Sequence, residues 1–296
     1  EALYRVLLRG RPASSCVALT GRLVPALERR LFDVPRPAES LARSRFFERP
    51  LRWIPGSEVV AEFTLTRERD PYIADHVFEG TPMFPAVMGI EAMSAAAQAC
   101  AMRSDVPTFL DVHLRAPIVV PADGAVRVRV HAQRDPAGHA RFRAALRAET
   151  DGFTQDCFSA VCEFDAPDAP APAPLEPFGP PLPIDPQQLT PHPLFQGAFF
   201  RRITAIFQLE PGQLCVAEVA PERGAVYFSL AGAAAPRTPH PAARDAFFQT
   251  ILLASRGRGL PVTVRELRRH LPLTESERLL CRARLVAHEG AAQRWD

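Results

Sequence analysis

Between Asp165 and Pro186 the chain reads DAPDAPAPAPLEPFGPPLPIDP. Nine prolines in that space rule out a continuous helix or a ladder-donating strand. Composition of this kind gives an extended, semi-rigid connector, so the chain folds as two parts on either side of it. The flanks have similar layouts. Before the connector come a strand-like run (SEVVAEFTL, 57–65), a Gly/Pro-punctuated loop, an Ala-rich apolar helix over 86–101 and an alternating strand (AVRVRVH, 125–131). After it come strands at 214–219 and 226–230, a second helix entered through a proline-rich loop at 235–241, and a strand at 279–286. Periodicity alone therefore gives an α+β fold with mostly antiparallel sheet. The expected organisation is an upstream segment 1–49, a first half 50–165, the connector 166–186 and a second half 187–296. Residues 1–49 read as a linker or the tail of a preceding domain. The chain opens at Glu1 without methionine, as expected of a domain excised from a longer polypeptide. It stops soon after its last strand, so the second half is expected to be incomplete.

Two segments carry chemistry. In the first, His76 lies in the run DHVFEGTPMFP, where Gly80, Pro82 and Pro85 fix the path of the loop. The helix that follows at once points its free N–H groups and partial positive charge back toward that loop. A base beside such a helix end suits a reaction in which negative charge grows on a carbonyl oxygen. The competing reading is a histidine merely satisfied within a loop. In the second segment, RDAFFQ, Asp245 and Gln249 are four apart and share a helix face, with Asp245 expected in the first turn. An aspartate there reads as a cap or dipole partner. Flanked by Phe247 and Phe248 it reads equally as a dehydrated carboxyl with a raised pKa, fit to act as an acid.

Taken together these segments resemble the polyketide synthase dehydratase domains. His76, Gly80 and Pro85 match the HxxxGxxxxP signature, and Asp245 with Gln249 matches DxxxQ/H. Residues 194–203 (LFQGAFFRRI) are similar to the YGPxF region, and residues 259–264 (GLPVTV) to the LPxxx strand. Four motifs in order over residues 50 to 296 make the resemblance specific. The wording GTPMFPAVMGIEAM is closest to dehydratases of iterative synthases of the enediyne or polyunsaturated fatty acid type. Two departures stand out. Ala86 replaces the glycine that usually follows the motif proline, and Gln196-Gly197-Ala198 replaces Tyr-Gly-Pro, so an amide stands where a phenol could contact substrate.

The resemblance implies a double hot-dog, two antiparallel sheets each wrapped around a central helix. It implies a base at His76 and an acid at Asp245. Gln249, Gly80, Phe84, Pro85, Val87, Gly197 and Phe248 are expected to support them or bind substrate. Met83, Phe84, Phe247 and Phe248 are expected to form the apolar pocket that keeps Asp245 protonated. The reaction it implies is elimination of water from a β-hydroxyacyl thioester, with N–H groups at the start of the Ala-rich helix expected to meet the enolate oxygen. No metal or organic cofactor is expected, the substrate arriving on the phosphopantetheine arm of an acyl carrier protein. Partners are that carrier, neighbouring domains and a second copy in a homodimer. A cyclase, a double-bond isomerase, a catalytically silent docking domain and a carrier-independent thioesterase share the superfamily's fold; the intact His/Asp pair argues against the silent domain and DxxxQ against the thioesterase.

Composition adds exclusions. The 35 basic residues, all arginine, nearly balance 33 acidic ones, so no broad charge favours nucleic acid. The Arg-rich run at 265–270 reads as a solvated face. Six cysteines show no CxxC and no grouping with histidine, as expected of reduced thiols in the cytoplasm. No apolar run is long enough to span a membrane, and no signal peptide is visible. Of the other histidines, His192 and His240 are expected nearest the pocket.

Overall fold

The computed structural model describes residues 44–138, 140–166, 179–189, 193–222, 226–229, 235–238, 240–255, 259–268, 279–290 and 292–296. Most of the 1–49 segment and of the proline-rich connector lies outside these residues, as does His192. Arg45 and Phe46, assigned by sequence to the upstream segment, are buried in the fold at 2% and 1% exposure, so the packed core begins before residue 50.

The first half is built on strands β1 (Arg49–Ile54), β2 (Glu58–Leu65), β5 (Thr108–Leu114), β6 (Val126–Arg134), β7 (Arg141–Ala148) and β8 (Phe158–Glu163). Between them lie a short hairpin, β3 (Val77–Phe78) and β4 (Thr81–Pro82), and helix α1 (Ala86–Ala101). The alternation read in the sequence is the pleat of the sheet. Val59, Ala61, Phe63 and Leu65 of β2 and Val126, Val128, Val130 and Ala132 of β6 are buried toward α1. On the other face Glu62 faces Arg129 at 3.1 Å. Every residue of α1 from Val87 to Cys100 is buried, as expected of a helix apolar on nearly all sides. Small residues let the sheet approach. A Cβ on Gly89 would stand 2.3 Å from a ring carbon of Phe158, so this position admits no side chain.

The second half contributes β9 (Ile203–Glu210), β10 (Leu214–Val219), helix α2 (Pro241–Ala254), β11 (Thr263–Leu267), β12 (Leu279–Glu289) and β13 (Ala292–Trp295). β13, β12, β10 and β9 form a four-stranded antiparallel sheet in that order, against which α2 packs. β11 behaves differently. It pairs with β5, Thr263 opposite His113, and completes a seven-stranded sheet in the order β1-β2-β6-β7-β8-β5-β11. A strand from beyond the connector thus closes the first sheet and ties the halves together. Arg265 and Glu266 on it are exposed, in keeping with a solvated face.

Residues 226–229, expected as a strand, form none. Tyr227 and Phe228 instead turn into the first core, where they pack on Tyr72 with ring centroids 6.3 and 6.2 Å away, and the Ser229 N–H donates to Arg69 O at 3.0 Å.

Candidate active site

His76 is placed by a tight hairpin. It closes the 3-10 turn Pro71–Asp75, its N–H donating to Ile73 O at 3.1 Å. The chain reverses between β3 and β4 through Glu79 (φ 48°) and Gly80 (φ 80°), the paired left-handed residues of a type I′ turn. Gly80 therefore serves backbone geometry, and the space around it is open. The turn brings Met83 back opposite His76. Met83 N–H donates to His76 O at 3.0 Å, and the ring Nδ1 lies 3.1 Å from Met83 O. A carbonyl can only accept, so Nδ1 carries the proton and Nε2 is the basic nitrogen. Pro85 then stands at the N-cap of α1.

Asp245 is placed by a helix whose start is fastened from outside. α2 is entered through His240 in the left-handed region (φ 56°), with Pro241 in its first turn and no side-chain cap of its own. Ala242 N–H donates to Tyr227 Oη at 3.0 Å and Ala243 N–H to Glu222 Oε1 at 2.8 Å, while Tyr227 Oη donates to Glu222. These groups satisfy the first-turn donors. Asp245 is the fifth helical residue, past the first turn where the sequence placed it, because the helix begins at Pro241. It is not a cap. One turn on, Gln249 donates from Nε2 to Asp245 Oδ2 at 2.8 Å and to Phe200 O at 3.0 Å.

One loop, running from Leu194 to Phe200, connects base and acid. Gln196 forms a β-bridge with His76. Gly197 N–H donates to Asp75 O at 2.7 Å and Phe199 N–H to Asp75 Oδ2 at 2.7 Å. A Cβ on Gly197 would fall 2.2 Å from Asp75 Oδ1, so glycine is what permits this approach. Phe200 O then receives Gln249, the partner of Asp245. Gly197 was expected from sequence as a supporting residue, whereas Asp75 was not. The adjacency of Asp75 to His76 was the available signal.

His76 and Asp245 both line a cavity of about 260 Å³. Met83, Phe84, Phe158, Phe195, Phe248 and Leu252 supply apolar wall, and Gln196 a polar group. The more exposed part of the lining is made by residues 114–117 at the end of β5 and 259–262 leading into β11. The LPxxx stretch thus contributes wall, whereas 114–117 carry no motif that could have marked them. Of the supporting residues expected, Phe84 and Phe248 line the cavity. Gln249, Gly80, Pro85, Val87 and Gly197 do not; Val87 is buried in the core and the others hold backbone or acid in place. Phe247 was expected in the pocket and instead packs on the second core with Ala243 and Ala246, since it projects from the opposite side of α2. His240 stands at the N-cap position of α2 and is not part of the wall.

Burial acts on both groups in one sense. His76 is edge-on to Phe195 and Phe200, centroids 5.2 and 5.6 Å away, and desolvation lowers its pKa below the ordinary value of 6.5 against the opposing pull of Asp245. Desolvation raises the pKa of Asp245 above 3.8, opposed by His76, Gln249 and Gln196. Burial thus shifts each group toward its neutral form relative to water, and the mutual attraction of the two opposes that shift.

A model of the polyketide synthase dehydratase domain matches residues 49–147, and one of the polyketide synthase dehydratase N-terminal domain matches 167–295. No curated protein matches the sequence. Among solved structures, the chain is similar to the dehydratase domain from the CurF module of curacin polyketide synthase, at 16% identity and TM-score 0.62, covering 81% of this chain and 88% of that one. It is similar to the dehydratase domain from the terminal module of the rifamycin polyketide synthase, at 20% identity and TM-score 0.59, covering 79% and 83%. It is also similar to the dehydratase domain of PpsC from Mycobacterium tuberculosis in complex with C12:1-CoA, at 21% identity and TM-score 0.59, covering 83% and 88%. These structures share the double hot-dog fold seen here. With both halves matched by dehydratase models, the chain belongs to the polyketide synthase dehydratase domains, hydro-lyases that act on β-hydroxyacyl thioesters.

Proposed function

We propose that His76 and Asp245 carry out this elimination as a base and an acid. One observation supports the assignment above others: two groups remote in sequence line one small apolar cavity, where burial shifts each toward the protonation state that its role requires. His76 Nε2 takes the α-proton of the thioester. The electron pair left behind closes the double bond as the β-carbon–oxygen bond breaks, and Asp245 protonates the departing hydroxyl, which leaves as water. The pair is left as imidazolium and carboxylate, and proton transfer back to Asp245 restores it. Each proton transfer contributes about 10²–10⁴-fold. Gln249, by donating to Asp245 Oδ2, leaves Oδ1 to hold the proton. Charge on the thioester oxygen is met by the N–H groups of Ala86 and Val87, which precede the first helical bonds of α1 from Met88 and Gly89 to Pro85 O.

The acyl group arrives on the phosphopantetheine arm of an acyl carrier protein, its chain in the apolar cavity and its arm along the wall at 114–117. Exposed Arg115 on that wall offers a guanidinium to the arm's phosphate. No metal or organic cofactor is needed, since the two side chains move every proton. The remaining partners are neighbouring synthase domains and a second copy in a homodimer, in the cytoplasm. No helix among the described residues is long and apolar enough to cross a membrane. Incubation with a β-hydroxyacyl carrier protein, followed by mass spectrometry of the acyl arm, tests the reading. Loss of one water by wild type and not by His76→Ala is the expected result. An unchanged acyl mass with wild type would refute it.

A further inference from the structure

α1 carries few polar side chains, and Glu91 and Gln98 lie seven apart on one face of it. Both are buried, at 2% and 0% exposure, and both receive the segment that leads into α2. Glu91 Oε1 accepts the Arg237 N–H at 2.5 Å, and Oε2 accepts the Thr238 N–H at 2.7 Å together with the Thr238 hydroxyl. Arg237 Nη1 donates to Gln98 Oε1 at 3.2 Å. The Thr238 oxygen does double duty, because Arg244 Nη2 donates both to Thr238 Oγ1 and to Thr238 O, the latter at 3.2 Å. Arg244 is the residue directly before Asp245. A continuous relay therefore runs from the middle of α1, through one hydroxyl, to the position adjoining the acid.

We propose that Thr238 is a positioning residue for catalysis: its hydroxyl, held by Glu91 and holding Arg244, sets the placement of Asp245 relative to His76. The proposal rests on the acid–base reading above. The physical need is clear from the packing. Ala86 at the start of α1 lines the cavity beside His76, and α2 supplies Asp245, so the spacing of the pair follows from how the two helices meet. Apolar contacts, such as those of Ala242 and Phe248 of α2 with the core around α1, fix an approximate separation and tolerate small slides. A buried, charge-assisted hydrogen-bond relay has one geometry. Misplacement by about 1 Å is enough to cost roughly 10²-fold in rate. The other fastenings at the start of α2, the Ala242 N–H to Tyr227 and the Ala243 N–H to Glu222, end on residues outside α1 and leave the hydrogen-bonded link between the two helices to Thr238.

The test uses Thr238→Val, which keeps shape and loses the hydroxyl, and Thr238→Ser, which keeps the hydroxyl. The backbone bonds of residue 238 to Glu91 and Arg244 survive in both, so folding is retained. Each variant is assayed for kcat and KM on a β-hydroxyacyl carrier protein, for thermal midpoint, and for the NMR titration of the His76 ring, which senses the distance to the Asp245 carboxyl without any turnover. Thr238→Val is expected to lower kcat about 10- to 100-fold with KM within about twofold, and to move the His76 midpoint. Thr238→Ser is expected to restore both. Should Thr238→Val fail to fold, Glu91→Gln reads the same relay from α1, with the same loss of kcat expected and an unchanged kcat overturning the proposal. A Thr238→Val protein that loses only thermal stability, with kcat and the His76 midpoint unmoved, would show a structural joint and nothing more. If wild type eliminates no water yet the His76 midpoint still moves in Thr238→Val alone, the reaction is misassigned and the positioning stands.

Discussion

α1 lies under four strands of the seven-stranded sheet and is buried along nearly its whole length, whereas α2 packs on three strands of a four-stranded sheet and keeps Arg244, Phe247, Phe248 and Ile251 only partly covered. The base, next to α1, is held by a tight hairpin and dense apolar packing. The acid, on α2, accepts from Gln249, which also donates to Phe200 O, and its helix is fastened by N–H bonds to Tyr227 and Glu222 and by the Glu91 relay. Packing over a wide sheet locates the hairpin, because each displacement opens a void, and leaves the hairpin's own short-range bonds, His76 Nδ1 to Met83 O among them, to aim the ring. On a narrow sheet the same precision comes from directional bonds, each of which costs more when left unmade than it contributes when made. The two halves of one reaction are thus positioned by different physics.

The largest effects come from removing the reacting groups themselves. His76→Ala and Asp245→Asn are each expected to lower kcat by about 10²–10⁴-fold, with melting temperatures that still show a folded domain. Because burial lowers the pKa of His76 and raises that of Asp245, the wild-type rate should fall on the acid side as the imidazole takes a proton, and on the alkaline side as Asp245 loses one. An Asp245→Asn enzyme with near wild-type turnover would mean that another group delivers the proton.

The joint between the halves is expected to be next in sensitivity. Gly197→Ala puts a carbon 2.2 Å from Asp75 Oδ1, so the loop must shift and the Phe199 N–H bond to Asp75 is lost. A kcat loss of about 10- to 100-fold is expected, with binding of the acyl arm little changed. Gly80→Asn is the control, since asparagine tolerates the left-handed turn and space there is open; it should stay within about twofold. Gln249→Ala should fall near the lower end of the Gly197 range, as it only orients Asp245. Equal losses at Gly80 and Gly197 would show that neither glycine is special to the site.

Much of this was legible in the sequence. The strands β2, β6 and β10 and the extent of α1 followed from local pattern, because periodicity and apolar runs report which face is buried, whereas the His76/Asp245 pair came from motif resemblance, local pattern leaving a cap and a loop histidine open. What stayed hidden was what depends on contacts across the chain. Nothing near 263–267 says that β11 joins the first sheet. Residues 226–229 look like a strand, and yet Tyr227 is used to cap a helix and fill the other core. Phe247 and Phe248 are equivalent in composition, and only the orientation of α2 decides which lines the cavity. Asp245 was misplaced by a turn because the helix takes its caps from Glu222 and Tyr227, far from its own start. The polar pair Glu91 and Gln98 at heptad spacing, in a helix whose other side chains are apolar but for Ser94, was a readable sign of a buried polar joint.

The smallest effect, and the sharpest comparison of the two halves, is in stability against pH. Asp245 has a folded pKa above its ordinary 3.8, so its contribution is present in full below that value and is lost as pH rises through the folded pKa. Asp245→Asn stays neutral at every pH. Its melting temperature should therefore gain on wild type as pH climbs above about 4, and level off beyond the folded pKa. His76 runs the other way. Its folded pKa lies below 6.5, so the unfolded chain takes up the proton first and stability is lost as pH falls through 6.5 toward the folded value. His76→Gln should gain on wild type as pH drops from about 6.5. Each tenfold displacement of a proton equilibrium is about 1.4 kcal/mol, a shift of a few degrees for a domain of this size. The two difference curves should slope in opposite directions. Parallel slopes would mean that one of the two side chains is ionised in the resting fold, and that the neutral pair on which the elimination depends is not its ground state.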